Sequence, residues 1–267
     1  MGNASTVAAD QSDLLKIEQK GAVLTVGLNR PAKRNALNDG IILAIGDCFA
    51  GLPEGIGAVV IHGIGDHFSS GLDLSELTEH DATEGLRHSQ MWHRVFDRIQ
   101  YSRVPVIAAL QGAVIGGGLE LACSAHIRVA EPSAYFALPE GQRGIFVGGG
   151  GSVRLPRLIG VPRMVDMMLT GRVYSATEGS SYGFSQYLTE PGGALPKALE
   201  IAERVAANAP LTNFAVLQAL PMIAEANPQT GLLMESLMAT VAQSDKEAKR
   251  RIRAFLDHKT AKVKPGK

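Results

Sequence analysis

The chain has 267 residues, 45% hydrophobic and 19% charged, which suits one large core in an ordinary folded protein. Lys+Arg and Asp+Glu both number 26, so no global field draws it toward nucleic acid or an acidic membrane surface. No apolar run reaches the ~18 residues of a membrane span, and no hydrophobic N-terminal segment marks secretion.

Residues 1–12 read as a flexible polar leader, although MGNAST also fits the short M-G-x-x-x-[ST] acylation pattern. Leu14 to Gln19 and Ala22 to Leu28 alternate as two strands around a turn at Lys20-Gly21. After the loop NRPAKRNAL, Asn38 is placed to cap a helix carrying Ile41, Ile42, Ile45 and Phe49. AVVIH (Ala58 to His62) reads as a buried strand. Thr83 to Tyr101 reads as a helix with Trp92, Val95, Phe96 and Ile99 on one face. Val106 to Leu110 is a further strand, followed by a glycine-rich turn, a short helix and a strand over His126 to Ala130, extended at Tyr135-Phe136. The order strand, glycine turn, helix thus occurs twice.

From Ser152 onward helices dominate: SVRLPRLIG, PRMVDMMLTG, Ala194 to Ala207, Leu211 to Ala226, Leu232 to Val241 and Asp245 to Leu256. Pro156 and Pro221 should kink or interrupt theirs. The expected organisation is an α/β core over residues 13–192 and a helical region over residues 193–267. Cys48 and Cys123 lie far apart in apolar helical contexts and read as reduced core thiols, which points to the cytoplasm. KRRIR at Lys249 to Arg253 reads as a solvated helix face.

Two glycine-bearing turns carry the chemistry. HFSSGLDL (His67 to Leu74) follows one strand and IGGGLEL (Ile115 to Leu121) follows another. Each leaves backbone N–H groups free at a strand end or helix start, where they can face an anion; two converging on one oxygen make an oxyanion hole. Tight helix–strand packing is the plainer reason for such glycines. Glu120 lies within an apolar stretch, so its carboxylate must be paired or its pKa raised. Glu140, in the loop FALPEGQRG, would by itself be an exposed acid. With Glu120 it makes a couple able to divide proton donor from acceptor. The chain has no P-loop or dinucleotide fingerprint, and His67, His88 and His93 lack metal-ligand spacing, so no metal is expected. Met167 and Met168 read as core.

From Leu14 to Lys259 the chain resembles the enoyl-CoA hydratase/isomerase (crotonase) superfamily. LNRPAKRNALN, HFSSGLDLSEL, AALQGAVIGGGLELACSAHIRVA and FALPEGQRGIFVGGGGSVRLPRLIG look like its four signature blocks, in order. The resemblance implies a spiral of ββα units with a helical C-terminal trimerisation region, assembled as a homotrimer or a hexamer. It implies an acyl-CoA thioester substrate, coenzyme A entering as part of that substrate, and no tightly bound cofactor. The thioester oxygen is expected on the N–H groups of Leu72 and Gly117. Coenzyme A is expected against Arg34, Ala36, Ser70, Asp73, Leu74, Phe255 and Lys259. Glu120 and Glu140 match the two acids of hydratases, which favours water addition to a 2-enoyl thioester. A 3,2-enoyl isomerase, a hydratase specialised for a small thioester such as methylthioacryloyl-CoA, and a thioester hydrolase share the scaffold, and a non-catalytic binding relative fits poorly with two acids present. Three departures stand out: Phe146-Val147-Gly148 replaces a common Ile-Pro-Gly, the variable segment Thr78 to Gly85 is short and polar, and Glu247-Ala248 replaces a glutamate–glycine pair.

Overall fold

The strands AVVIH and VIAAL carry no alternating polar positions because the sheet they form is covered on both faces. In the computed structural model, which describes residues 13–75 and 81–257, β1 (Leu15–Lys20), β2 (Val23–Leu28), α1 (Asp39–Ala50), β3 (Ala58–Gly63), α2 (Ala82–Gln100) and β4 (Val106–Leu110) come first. Next are β5 (Ala113–Ile115), α3 (Gly117–Ser124), β6 (Ile127–Ala130), β7 (Tyr135–Ala137), α4 (Gly151–Ile159), α5 (Val161–Thr170), β8 (Tyr174–Ser175), α6 (Ala176–Tyr182), β9 (Tyr187–Leu188) and α7 (Ala194–Ala206). The main sheet runs β1-β2-β3-β4-β6-β9; only β1–β2 is antiparallel.

Period-two alternation sends Val59, Ile61, Val106 and Ala108 into the larger core with Ile41, Ile45, Trp92 and Phe96. The intervening Ala58, Val60, Ile107 and Ala109 face Ala194, Ala198, Ile201 and Ala202 of α7. The alanines of α7 let it lie close on the sheet, so it folds with the first compact unit, which extends to Ala206. The division therefore falls after α7, whereas the sequence reading put it after residue 192.

A second, shorter set of pairings marks the repeat. Leu37 bridges Leu72, Ser69 bridges Val114, and β5 pairs in parallel with β7, which pairs in turn with β8. Each turn of the chain thus contributes a long strand to the main sheet and a short extended piece to this layer before its helix begins. That is the ββα spiral. The strands β5, β8 and β9 were absent from the sequence reading because two or three residues carry no period, and helix α6 because its seven residues, ATEGSSY, are mostly small and polar.

Local signals set the helix ends. Asn38 accepts the Ile41 N–H at 3.1 Å to start α1, and Asp81 forms a capping box with Glu84 to start α2. Pro156, the sixth of nine residues in α4, sits inside the helix without ending it and forfeits the one backbone bond its missing N–H would make. In the second unit, α8 (Pro210–Phe214) passes through a π-helical turn (Ala215–Ala219) into α9 (Leu220–Glu225), so Pro221 does mark an interruption. Two helices follow, α10 (Pro228–Ser244) and α11 (Lys246–Leu256). Among the described residues no helix is long and apolar enough to cross a membrane. The leader (residues 1–12), residues 76–80, which include the first three positions of the variable segment, and Lys259 lie outside the described residues.

Candidate active site

Each glycine of the triplet has a different close neighbour. Gly116 has φ +53, and a Cβ there would stand 2.7 Å from Glu140 Oε1. At Gly117 a Cβ would stand 2.8 Å from the Trp92 ring, and at Gly118 2.6 Å from the Ser69 carbonyl oxygen. Bare backbone is therefore required at all three positions, by a carboxyl, an indole and a main chain respectively. Gly71 meets the same segment from the other side, with φ +86 and room for a Cβ blocked by the Ile115 oxygen at 2.6 Å and the Gly117 nitrogen at 3.1 Å.

This approach brings the Leu72 and Gly117 amides together. The bridge between Leu37 and Leu72 uses the Gly71 carbonyl and the Asp73 N–H, which turns the Leu72 N–H to the opposite side. Gly117 opens α3, so its N–H is one of the helix's unmatched donors and carries the positive dipole end. Both residues line a cavity of about 410 Å³ together with Glu120, Glu140 and Trp92.

Glu120 sits on the first turn of α3, almost wholly buried. Its Oε1 accepts the Gly149 N–H at 2.9 Å and the Gly151 N–H at 2.7 Å. Desolvation raises its pKa, while these amides and the charge of Arg154 pull toward the ionised form. Glu140 starts a 3-10 turn after β7 and is also buried, but its Oε2 has no hydrogen-bond partner among the described residues. Desolvation lifts it to about 7 against the pull of its own backbone N–H, with the Glu120 charge adding to the rise and Arg143 opposing it. One carboxyl has two distant backbone amides on its anion; the other has one oxygen without a donor.

Asn35 and Ser69 hold the Leu72 side of the cavity. Asn35 is fully buried, donates to the carbonyls of Ile64 (3.0 Å) and His67 (2.7 Å), and accepts the Arg30 N–H at 2.9 Å. Ser69 Oγ donates to the Asn35 carbonyl at 2.8 Å and accepts the Gly71 N–H at 3.2 Å. The sequence reading passed over both, though an Asn set just before the apolar pair Ala36-Leu37 is the kind of signal that marks a cross-loop tie.

The residues expected to meet coenzyme A are scattered in their surroundings. Ser70 and the exposed Leu74 line the cavity. Arg34 is exposed with φ +50, while Ala36 is buried and its carbonyl accepts from Arg30 at 2.7 Å. Asp73 is buried, with Arg30 and Lys33 each at 2.9 Å from Oδ2 and Ser75 on Oδ1. Burial works against its anion, yet the Ser75, Lys33 and Arg30 bonds hold the carboxyl well below the usual range. Asp73 thus places two cations at the cavity's edge. Phe255 is exposed on α11 of the second unit.

Comparison with known proteins agrees in both sequence and shape. The family model for enoyl-CoA hydratase/isomerase matches residues 18–265. A short-chain-enoyl-CoA hydratase of Clostridium acetobutylicum is 33% identical over 90% of this chain and 94% of its own. A 2,3-dehydroadipyl-CoA hydratase of Escherichia coli is 33% identical over 94% of this chain and 98% of its own. A crystal structure from Rhodopseudomonas palustris, 80% identical, covers 96% of this chain and 98% of that one with a TM-score of 0.92. With four signature blocks, a ββα spiral and a full-length family match in agreement, the chain belongs to the enoyl-CoA hydratase/isomerase family.

Proposed function

We propose that this chain is an enoyl-CoA hydratase, adding water syn across the 2,3-double bond of a 2-enoyl-CoA thioester. The observation that carries this is the pairing of two unlike carboxyl groups in one cavity with two convergent amides. The thioester oxygen accepts from the Leu72 and Gly117 N–H groups, which stabilise the enolate that forms as C3 is attacked. Glu120, its Oε1 held by the Gly149 and Gly151 amides, takes a proton from the attacking water. Glu140, with Oε2 unpartnered and its pKa lifted to about 7, is the acid that protonates C2. The hydroxyl ends on C3 and one proton on C2; exchange with solvent returns Glu120 and Glu140 to their starting states.

The coenzyme A portion lies along Arg34, Ala36, Ser70 and Leu74, with Asp73 acting through Arg30 and Lys33. Phe255 and Lys259 meet the cofactor of a neighbouring copy. Leu232, Leu233 and Leu237, between 58% and 64% exposed on α10, supply apolar surface for assembly as a homotrimer or a dimer of trimers. The free thiols of Cys48 and Cys123 suit a reducing cytoplasm.

The test is spectrophotometric. Wild type should discharge the conjugated thioester absorbance of crotonyl-CoA, and Glu120→Gln and Glu140→Gln should each lose at least ~10²-fold in kcat. Full activity in either variant removes that residue from the mechanism. Conversion of a 3-enoyl thioester with Glu120 or Glu140 dispensable would replace hydration by double-bond migration.

A further inference from the structure

We infer that Arg154 is a positioning residue for Glu120, acting through the Gly149 carbonyl, which lies in the chain between the two amides that hold Glu120. Its guanidinium, buried in α4, donates from Nη1 to the Gly149 carbonyl at 3.0 Å. The other two nitrogens are anchored on α2, with Nε on Gln100 Oε1 at 2.5 Å and Nη2 on Asp97 Oδ1 at 2.6 Å. Ser89, also on α2, donates to the preceding carbonyl, Gly148, at 2.7 Å. Two consecutive carbonyls are thus tied to α2 and α4. The peptide whose Gly148 carbonyl Ser89 holds presents the Gly149 N–H on its other side. The Arg154-held Gly149 carbonyl fixes the chain between that N–H and the Gly151 N–H, both of which donate to Oε1 of Glu120.

The loop is shaped for this arrangement alone. Gly150 has φ +93, and a Cβ there would collide with the Arg154 guanidinium. Side chains at Gly149 or Gly151 would press on Glu120, at 3.1 Å from Oε2 and 2.8 Å from Cγ. With both lone pairs of Oε1 taken by the Gly149 and Gly151 amides, and the Gly148 N–H also favouring the anion, Oε2 keeps a lone pair to receive the proton of water. Arg154 therefore does two things: it fixes which oxygen reacts, and it sets a positive charge behind the carboxylate. The remaining titratable groups around Glu120 are Glu140 and Arg143 on the loop after β7, His88, His93 and Asp97 on α2, and Cys123 along α3; β5, packed on α3, carries none.

This inference rests on the hydratase reading only for its kinetic arm. In Arg154→Met, kcat on crotonyl-CoA should fall about 10- to 100-fold with KM within about threefold, the pattern of a misplaced catalytic group. The acid limb of kcat/KM should move up by at least about half a pH unit, since the Glu120 anion loses both charge and donors. Arg154→Lys keeps the charge and most of the volume but cannot fork across three acceptors, so its limb should stay near wild type while kcat stays low. Infrared titration of the 13C-glutamate-labelled protein, with Glu120→Gln providing the assignment, reads the Glu120 pKa without any substrate. An unmoved Glu120 titration in Arg154→Met, or an undiminished kcat in Arg154→Lys, overturns the proposal. Wild type inert toward crotonyl-CoA but showing the infrared shift would sink the hydratase reading and leave the positioning role standing.

Discussion

Replacing Glu140 by Gln should make the protein more stable at alkaline pH while disabling it. The wild-type carboxyl is lifted from 4.5 to about 7 in the folded state. Below 4.5 it is protonated whether the chain is folded or not, and folding is not penalised. As pH rises through 7, the unfolded chain holds a relaxed anion while the folded one holds either a proton or an ill-solvated charge, so stability is lost. At about 1.4 kcal/mol per pH unit the ceiling on that loss is about 3 kcal/mol. The cavity is open to solvent, which reduces the expected figure to about 1–2 kcal/mol. Glutamine keeps the shape without the titration; any cost of its buried amide is the same at every pH. Urea unfolding of both proteins at pH 5 and pH 8, at one protein concentration, measures the difference. The variant should gain about 1–2 kcal/mol relative to wild type between the two pH values. An equal difference at both, or a variant that weakens as pH rises, would refute the idea that Glu140 is a strained, donor-poor acid.

Other consequences can be tested alongside. Gly117→Ala places a methyl 2.8 Å from the Trp92 ring and beside the Leu72 nitrogen, so kcat should fall by about 10²-fold or more, with a shifted emission from the chain's single tryptophan. Asp73→Asn frees Arg30 and Lys33 from their shared carboxylate; KM for the thioester should rise with little change in kcat, and stability should drop by about 1–3 kcal/mol in a urea melt. His126 accepts the Val106 N–H and donates to the Gln100 carbonyl, and burial lowers it from 6.5 to about 4. Its folded state resists protonation, so stability should decline as pH falls from about 6.5 toward 4, and His126→Gln should flatten that part of the stability–pH curve.

What could be read from the chain beforehand was whatever repeats or punctuates. AVVIH, VIAAL and the Trp92–Phe96–Ile99 face announce themselves by length and period, and Asn38 by its capping chemistry. Glu120 and Glu140 stood out as acids in apolar or proline–glycine settings, and the cavity holds both. Features that depend on one side chain meeting a distant backbone stayed hidden. Arg154 reaches Gln100 and Asp97 across more than fifty positions, and Asn35 ties loops about thirty positions away. Neither contact leaves a periodic trace. The allegiance of α7 was hidden too, since its small apolar stripe could have met another helix as readily as the far face of the sheet.

The Asn35–Ser69 tie has an evolutionary corollary. One interior amide joins the turn that carries Arg30 to the strand end that offers the Leu72 nitrogen, so the grip on the nucleotide handle and the grip on the reacting oxygen shift as a single piece. A substitution there trades one against the other and can improve neither alone. Diversification toward new acyl groups is therefore better served by Ile145 and Phe146, exposed residues that line the same cavity and belong to neither tie.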